Sequence, residues 1–150
     1  MKGVEEAHEI MVDALARIVF GGVALTSQAL DHAAEGRDLT FTQWWAIAIV
    51  GESEKGRRVG EVAHRMNATL QATSHLLRRL EDRGLLSLTR DENDRRATVA
   101  QLSPKGARLR AAVLAHRREL LAGMARGLDP SAPADEFLAE LARRFVAYPR

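Results

Sequence analysis

The chain has 150 residues, 46% of them apolar, which suffices for one substantial core and is too few for two ordinary domains side by side. Cysteine is absent, so a disulfide framework, a thiolate metal site and a thiol redox sensor are excluded, and a cytoplasmic setting is expected. Net charge is only +2, but residues 1–35 hold two basic and six acidic side chains while residues 57–118 hold fourteen basic and six acidic ones, a basic middle of the kind that meets a polyanion.

Residues 4–35 lack proline and place Ile10, Ala14, Ile18, Leu25 and Ala29 at helical intervals, with Leu15, Val19 and Val23 beside them. The spacing predicts a long helix apolar on two sides, one for its own domain and one for a partner. Arg17, Gly21, Gly22, Thr26, Ser27 and Gln28 interrupt it too often for a membrane span, so no membrane partner is expected. Glu5, Glu6, Glu9 and Asp13 ahead of it carry the wrong sign for a signal peptide.

Thr40 followed three residues later by Gln43 is a capping-box spacing, and predicts a second helix running to about Glu52 with Phe41, Trp44, Trp45 and Ala48 on its buried side. The adjacent tryptophans project about 100° apart and cannot share a pocket. After a polar linker, residues 53–58, the segment Val59–Met66 reads as a short helix with Val62, Ala63 and Met66 inward. Asn67, Ala68 and Thr69 form a turn, and a further helix spans Leu70–Arg83. Leu70, Thr73, Leu77 and Leu80 fall on one of its faces, and Gln71, Ser74, His75 and Arg78 on the opposite one. Gly84 is its stop signal.

Two strand-like runs, Leu85–Thr89 and Ala97–Leu102, joined by the charged tip Arg90–Arg96, predict a β-hairpin. Ser103 and Pro104 then open a helix to about Gly127, with Leu109, Val113, Leu120 and Met124 along one stripe and Leu114, Leu121 and Leu128 along a second. Pro130 and Pro133 break it, and a last helix, Ala134–Ala147, presents Phe137, Leu138, Leu141 and Phe145. The expected fold class is mainly α with a small β-hairpin wing (α+β). Residues 1–150 form one unit, in which a winged helix-turn-helix, residues 39–102, is flanked by dimerisation helices, residues 1–38 and 103–150.

Two helices joined by a three-residue turn, the second polar and basic outside, suit a major groove about 12 Å wide. Gln71 can bond adenine in bidentate fashion, Ser74 can donate or accept, His75 can reach a base edge, and Arg78 can serve a guanine or a phosphate, with Arg79 beside it. At the hairpin tip Arg90, Arg95 and Arg96 suit a narrow, electronegative minor groove, with Asp91, Glu92 and Asp94 to orient them. An ordinary amphipathic helix and a self-neutralising turn are the plainer alternatives. Arg17, Phe20, Trp44 and Trp45 form a candidate effector site beneath the long first helix, able to stack on an aromatic ligand and pair with an anion; core packing is the competing role.

No enzyme, cofactor or metal motif survives inspection. Asp91 to Asp94 begins like a calcium loop, but Arg95 and Arg96 stand where an oxygen ligand and a glycine are needed. His8, His32, His64, His75 and His116 show no close pair at a zinc-ligand interval, and there is no phosphate-cradling loop or nucleophile elbow.

The ordered fragments LTFTQW at the second helix, RRLEDRGLL at the end of the reading helix, DENDRR at the tip and LSPKG at the next helix resemble the multiple-antibiotic-resistance regulator (MarR) family. The resemblance spans the chain and is most specific over residues 39–106. It implies a homodimer built from the first helix and the last two, palindromic double-stranded DNA as partner, and a small aromatic or phenolic effector. It also implies that Asp94 and Arg96 belong to the wing signature, that Arg96 is the minor-groove arginine, and that Gln71, Ser74 and His75 are base readers. The family's cysteine peroxide sensors have no counterpart here. A repressor is the leading reading, and a winged-helix adaptor that binds protein rather than DNA is the alternative; the outer residues argue against it, because such a surface more often displays aromatic anchors.

Overall fold

In the computed structural model, which describes residues 2–33, 38–94 and 96–126, the proline-free start of the chain forms α1, Lys2–Ala33. Two compact units divide the chain, Met1–Arg118 and Glu119–Arg150. Arg95 and the helix expected over residues 134–147 lie outside the described residues. Among those residues no helix is long and apolar enough to cross a membrane.

The capping box forms as the spacing requires: Thr40 Oγ1 accepts from the Gln43 amide at 3.2 Å, and Gln43 Oε1 accepts from the Thr40 amide at 3.1 Å. It opens α2, Phe41–Val50, which ends against Gly51, two residues short of the expected Glu52. The buried side differs from expectation. Trp44, Ala46, Ile47, Ile49 and Val50 are buried and Ala48 is half-buried, whereas Phe41 and Trp45 are exposed. The run Ala46–Val50 has no polar face from which a phase could be read, and α1, α3, α4 and β3 pack around it on several sides.

Next come β1, Arg57–Arg58, then α3, Val59–Arg65, and α4, Leu70–Asp82. The turn between the two helices has a specific cause. Asn67 takes a left-handed conformation, φ 51°, so that the Ala68 amide reaches the Ala63 carbonyl at 3.0 Å and closes α3. Thr69 Oγ1 then caps α4 by accepting from the Ala72 amide at 3.2 Å. At the other end of α4, Gly84 at φ 69° lets the Leu85 amide bond the Leu80 carbonyl at 2.9 Å, while Leu80 and Leu85 are both buried beside it.

Thr73, Leu77 and Leu80 make the inner face of α4, as the periodicity predicts, but Leu70 does not join them: it is 59% exposed. It is the first residue of the helix, and the apolar stripe there has run past the edge of the core. Thr73 Oγ1 is buried without a hydrogen-bond partner among the described residues. An unmatched hydroxyl costs more than a methyl of the same shape, so Thr73→Val is expected to raise stability by about 1 kcal/mol in denaturant unfolding.

Strands β2, Leu86–Arg90, and β3, Thr98–Leu102, pair antiparallel from Leu86 opposite Leu102 to Arg90 opposite Thr98. The third strand, β1, pairs with the other edge of β3, Arg57 opposite Ala100, giving the order β1-β3-β2. Nothing in the polar linker announces β1, because two residues are too few for an alternating pattern. Helix α5, Pro104–Ala125, starts at Ser103, whose Oγ accepts from the Gly106 amide at 3.1 Å and donates to the Gly84 carbonyl at 2.7 Å.

One core joins these elements, its largest fully buried members being Leu30 of α1, Ile47 and Val50 of α2, Val62 of α3, Leu77 and Leu80 of α4, Leu85, and Val113 of α5. The imidazoles of His32 and His116 stack with centroids 4.1 Å apart, tying the end of α1 to α5.

Candidate nucleic-acid interface

The inner face of α4 is fixed by Thr73, Leu77 and Leu80, so its outer face is committed to solvent. Gln71, His75, Arg78 and Arg79 are exposed there, and Ser74 is half-buried. Ser74 Oγ donates to the Leu70 carbonyl at 2.7 Å, which leaves its lone pairs turned outward as acceptors.

Ser74, Arg78 and Arg96 line one open groove of about 670 Å³ between the start of α3, α4 and the wing. Two of the candidate base readers, Gln71 and His75, stand on the exposed surface of α4 beside that groove. Arg90 is exposed at the end of β2. The structure therefore brings Ser74 and Arg78 of α4 and Arg96 of the wing to one groove.

The hairpin tip is organised by two aspartates. Asp91 Oδ1 accepts from the amides of Asn93 at 2.8 Å and Asp94 at 3.1 Å, and Asp94 Oδ1 accepts from the Arg96 amide at 3.0 Å. The other carboxylate oxygen of Asp91 accepts from Arg58 Nε at 2.8 Å. Arg58 immediately precedes α3, so this pair ties the wing to the helix-turn-helix. The Arg58 guanidinium and the two amides hold the Asp91 carboxyl below the usual aspartate range. Sequence reading gave Asp91 only a general orienting part and missed Arg58; a basic residue at the edge of a linker carries no signal until β1 brings it beside the hairpin.

A second pair of arginines fixes α3 against α2. Arg65 grips the Glu52 carboxylate with both terminal nitrogens, Nη2 at 2.9 Å from Oε1 and Nη1 on Oε2, while Arg57 Nη2 donates to the same Oε2 at 3.1 Å. Arg57 Nε caps the Ile49 carbonyl at 3.1 Å, at the end of α2. The hydrogen bond from Arg65, foremost, holds Glu52 below its ordinary range against the opposing effect of desolvation. A carboxylate lowered in the folded state contributes stability above its unfolded pKa that is lost as pH falls through its folded value. Thermal unfolding is therefore expected to soften below the ordinary glutamate range, and Glu52→Gln is expected to be less stable at neutral pH and flatter with acid.

The candidate effector residues are spread. Trp44 is 3% exposed and belongs to the core, while Arg17, Phe20 and Trp45 lie on the surface, Phe20 being 79% exposed.

A short helix, a turn that pivots on the left-handed Asn67, a helix polar on its outer face and an arginine-tipped hairpin together define a winged helix-turn-helix protein. Residues 37–97 of the chain match the MarR family model. No curated protein sequence matches the chain. Among solved structures it is similar to RV1404 from Mycobacterium tuberculosis, with 20% identity, TM-score 0.75 and 95% of each chain covered. It is similar also to a MarR-family transcriptional regulator from Rhodococcus sp. RHA1, with 20% identity, TM-score 0.67 and again 95% of each chain covered. CouR from Rhodococcus jostii RHA1, solved bound to p-coumaroyl-CoA, has 22% identity and TM-score 0.68 over 91% of each chain. At these identities the likeness to solved structures establishes the fold.

Proposed function

We propose that the chain is a homodimeric transcriptional regulator that binds palindromic operator DNA in the cytoplasm, as a repressor relieved by a small aromatic or anionic effector. The observation that supports this reading is the groove that Ser74 and Arg78 of α4 share with Arg96 of the wing, with Gln71 and His75 exposed on the same helix. In it α4 enters the major groove with Gln71, Ser74 and His75 at base edges. Arg78 and Arg79 serve a guanine or phosphates, and Arg90, Arg95 and Arg96 follow the wing to the neighbouring minor groove, with Asp94 holding the tip.

Dimerisation is assigned to residues 1–38 and 103–150, and the winged unit to residues 39–102. Val12, Val19, Phe20 and Val23 of α1 are exposed, and a second chain is the simplest cover for them. The effector reading draws on the aromatic, anionic ligand in the CouR structure. Of the four candidates, Arg17 and Phe20 of α1 and Trp45 of α2 are exposed and would line such a site, whereas Trp44 serves the core.

Binding of the full chain to promoter DNA of its own operon, with and without competitor and at two salt concentrations, tests the reading. Specific binding that weakens steeply with salt is expected, because neutralised phosphates release counterions. Arg96→Ala should weaken binding without moving the preferred major-groove bases, and Gln71→Ala should relax the choice of base by roughly 1–3 kcal/mol. Binding to all duplexes alike at both salts would refute it.

A further inference from the structure

We infer that Leu70 is a specificity-determining residue, reading the C5-methyl group of one thymine in each DNA half-site. The inference rests on the DNA-reading role proposed above and adds a residue to it that the sequence pattern assigns to the core.

Among the described residues 57–102, Leu70 is the one large apolar side chain that is exposed; the others among the described residues lie on α1, α2 and α5. A lone leucine is too small a patch to seat a protein partner, and it is separate from the α1 stripe. It opens α4, directly after the Thr69 cap, where the residues of a reading helix come nearest to the base edges. Leu70, Ser74 and Arg78 follow one another at intervals of four and line the same groove, so the leucine shares its surface with groups suited to bases and phosphates.

Leucine offers neither donor nor acceptor. The one feature of a base edge in the major groove that it can recognise is the thymine methyl group. The contact is unavailable at cytosine and at uracil, so it imposes a preference for thymine that no polar reader on α4 supplies. Burying a single methyl is worth about four-fold in affinity.

The test uses the full chain and duplexes selected from a random-sequence library. In the best selected duplex each thymine is replaced in turn by deoxyuridine, which removes only the methyl group, and binding is read by fluorescence anisotropy. One thymine per half-site is expected to lose about four-fold on replacement. Leu70→Ala should bind the thymine duplex more weakly by a similar factor and be indifferent to deoxyuridine at that position. Because Leu70 is exposed, the variant should keep its melting temperature; a conservative second variant, Leu70→Met, should retain part of the thymine preference. Specific binding by the wild-type chain with no deoxyuridine effect at any position, or an effect that survives in Leu70→Ala, would overturn the assignment while leaving the DNA-reading role intact. Failure to enrich any duplex would overturn both.

Discussion

Placing glutamate at both Val19 and Val23 is expected to convert the protein to a monomer and to weaken DNA binding by roughly a hundred-fold or more. Val12, Val19, Val23, Thr26 and Leu30 follow one another at intervals of seven, four, three and four, and so lie along one stripe of α1. Its end is already used, since Thr26 and Leu30 are buried against the winged middle. Towards the start of the helix the same stripe stays apolar, and there Val12, Val19 and Val23 are exposed. In the proposed dimer a second chain covers them. Two carboxylates there would have to be desolvated without partners, and splitting the dimer would remove the linkage that lets one half-site hold the protein for the other. Sedimentation velocity reads the first effect and anisotropy on a two-half-site duplex the second. A variant that remains a dimer with undiminished affinity would show that this stripe is not the interface.

The largest effect on folding is expected at Gly106. It stands in the first turn of α5, and a Cβ built on it would collide with the carbonyl of Leu85, which follows α4. That carbonyl also accepts from the Ser103 amide at 3.1 Å, and Leu85 closes the cap of α4, so the backbone has little room to yield. Gly106→Ala is expected to cost about 3 kcal/mol in denaturant unfolding and to lower the melting temperature by about 10 °C. By contrast, Gly60→Ala should be nearly silent, since its Cβ would meet open space. Equal stability of the two variants would mean that α5 can shift away from Leu85 without loss.

The contrast between these sites shows which physical signals a sequence carries. Local chemistry was legible: Thr40 with Gln43, the Asn67–Thr69 turn, Gly84 after α4 and Ser103 before Pro104 each act within a few residues, and each cap forms at its expected place. The outer face of α4 was legible for the same reason, since four residues on a regular helix share a side whatever surrounds it. Burial that depends on neighbours was not. Phe41 and Trp45 are exposed because the run Ala46–Val50 of α2 has no polar face and the helix's phase is decided by α1, α3, α4 and β3. Leu70 fits the inner stripe by spacing and leaves it because the core ends before the helix does. Arg58 with Asp91, and Arg57 and Arg65 with Glu52, are pairs whose members are far apart in sequence or sit in a featureless linker. Only the pairing of β1 with β3 brings Arg58 to the wing.

The central claim, that α4 and the wing of a two-fold dimer read palindromic DNA, is tested most directly by hydroxyl-radical footprinting of the full chain on its own promoter. Two symmetric protected half-sites are predicted, with centres about 10 base pairs apart. Flanking minor-groove protection should vanish in Arg96→Ala while the backbone protection of the two half-sites stays in place. Protection of one asymmetric half-site, or a footprint unchanged by replacing Gln71, His75 and Arg96 together, would contradict the account.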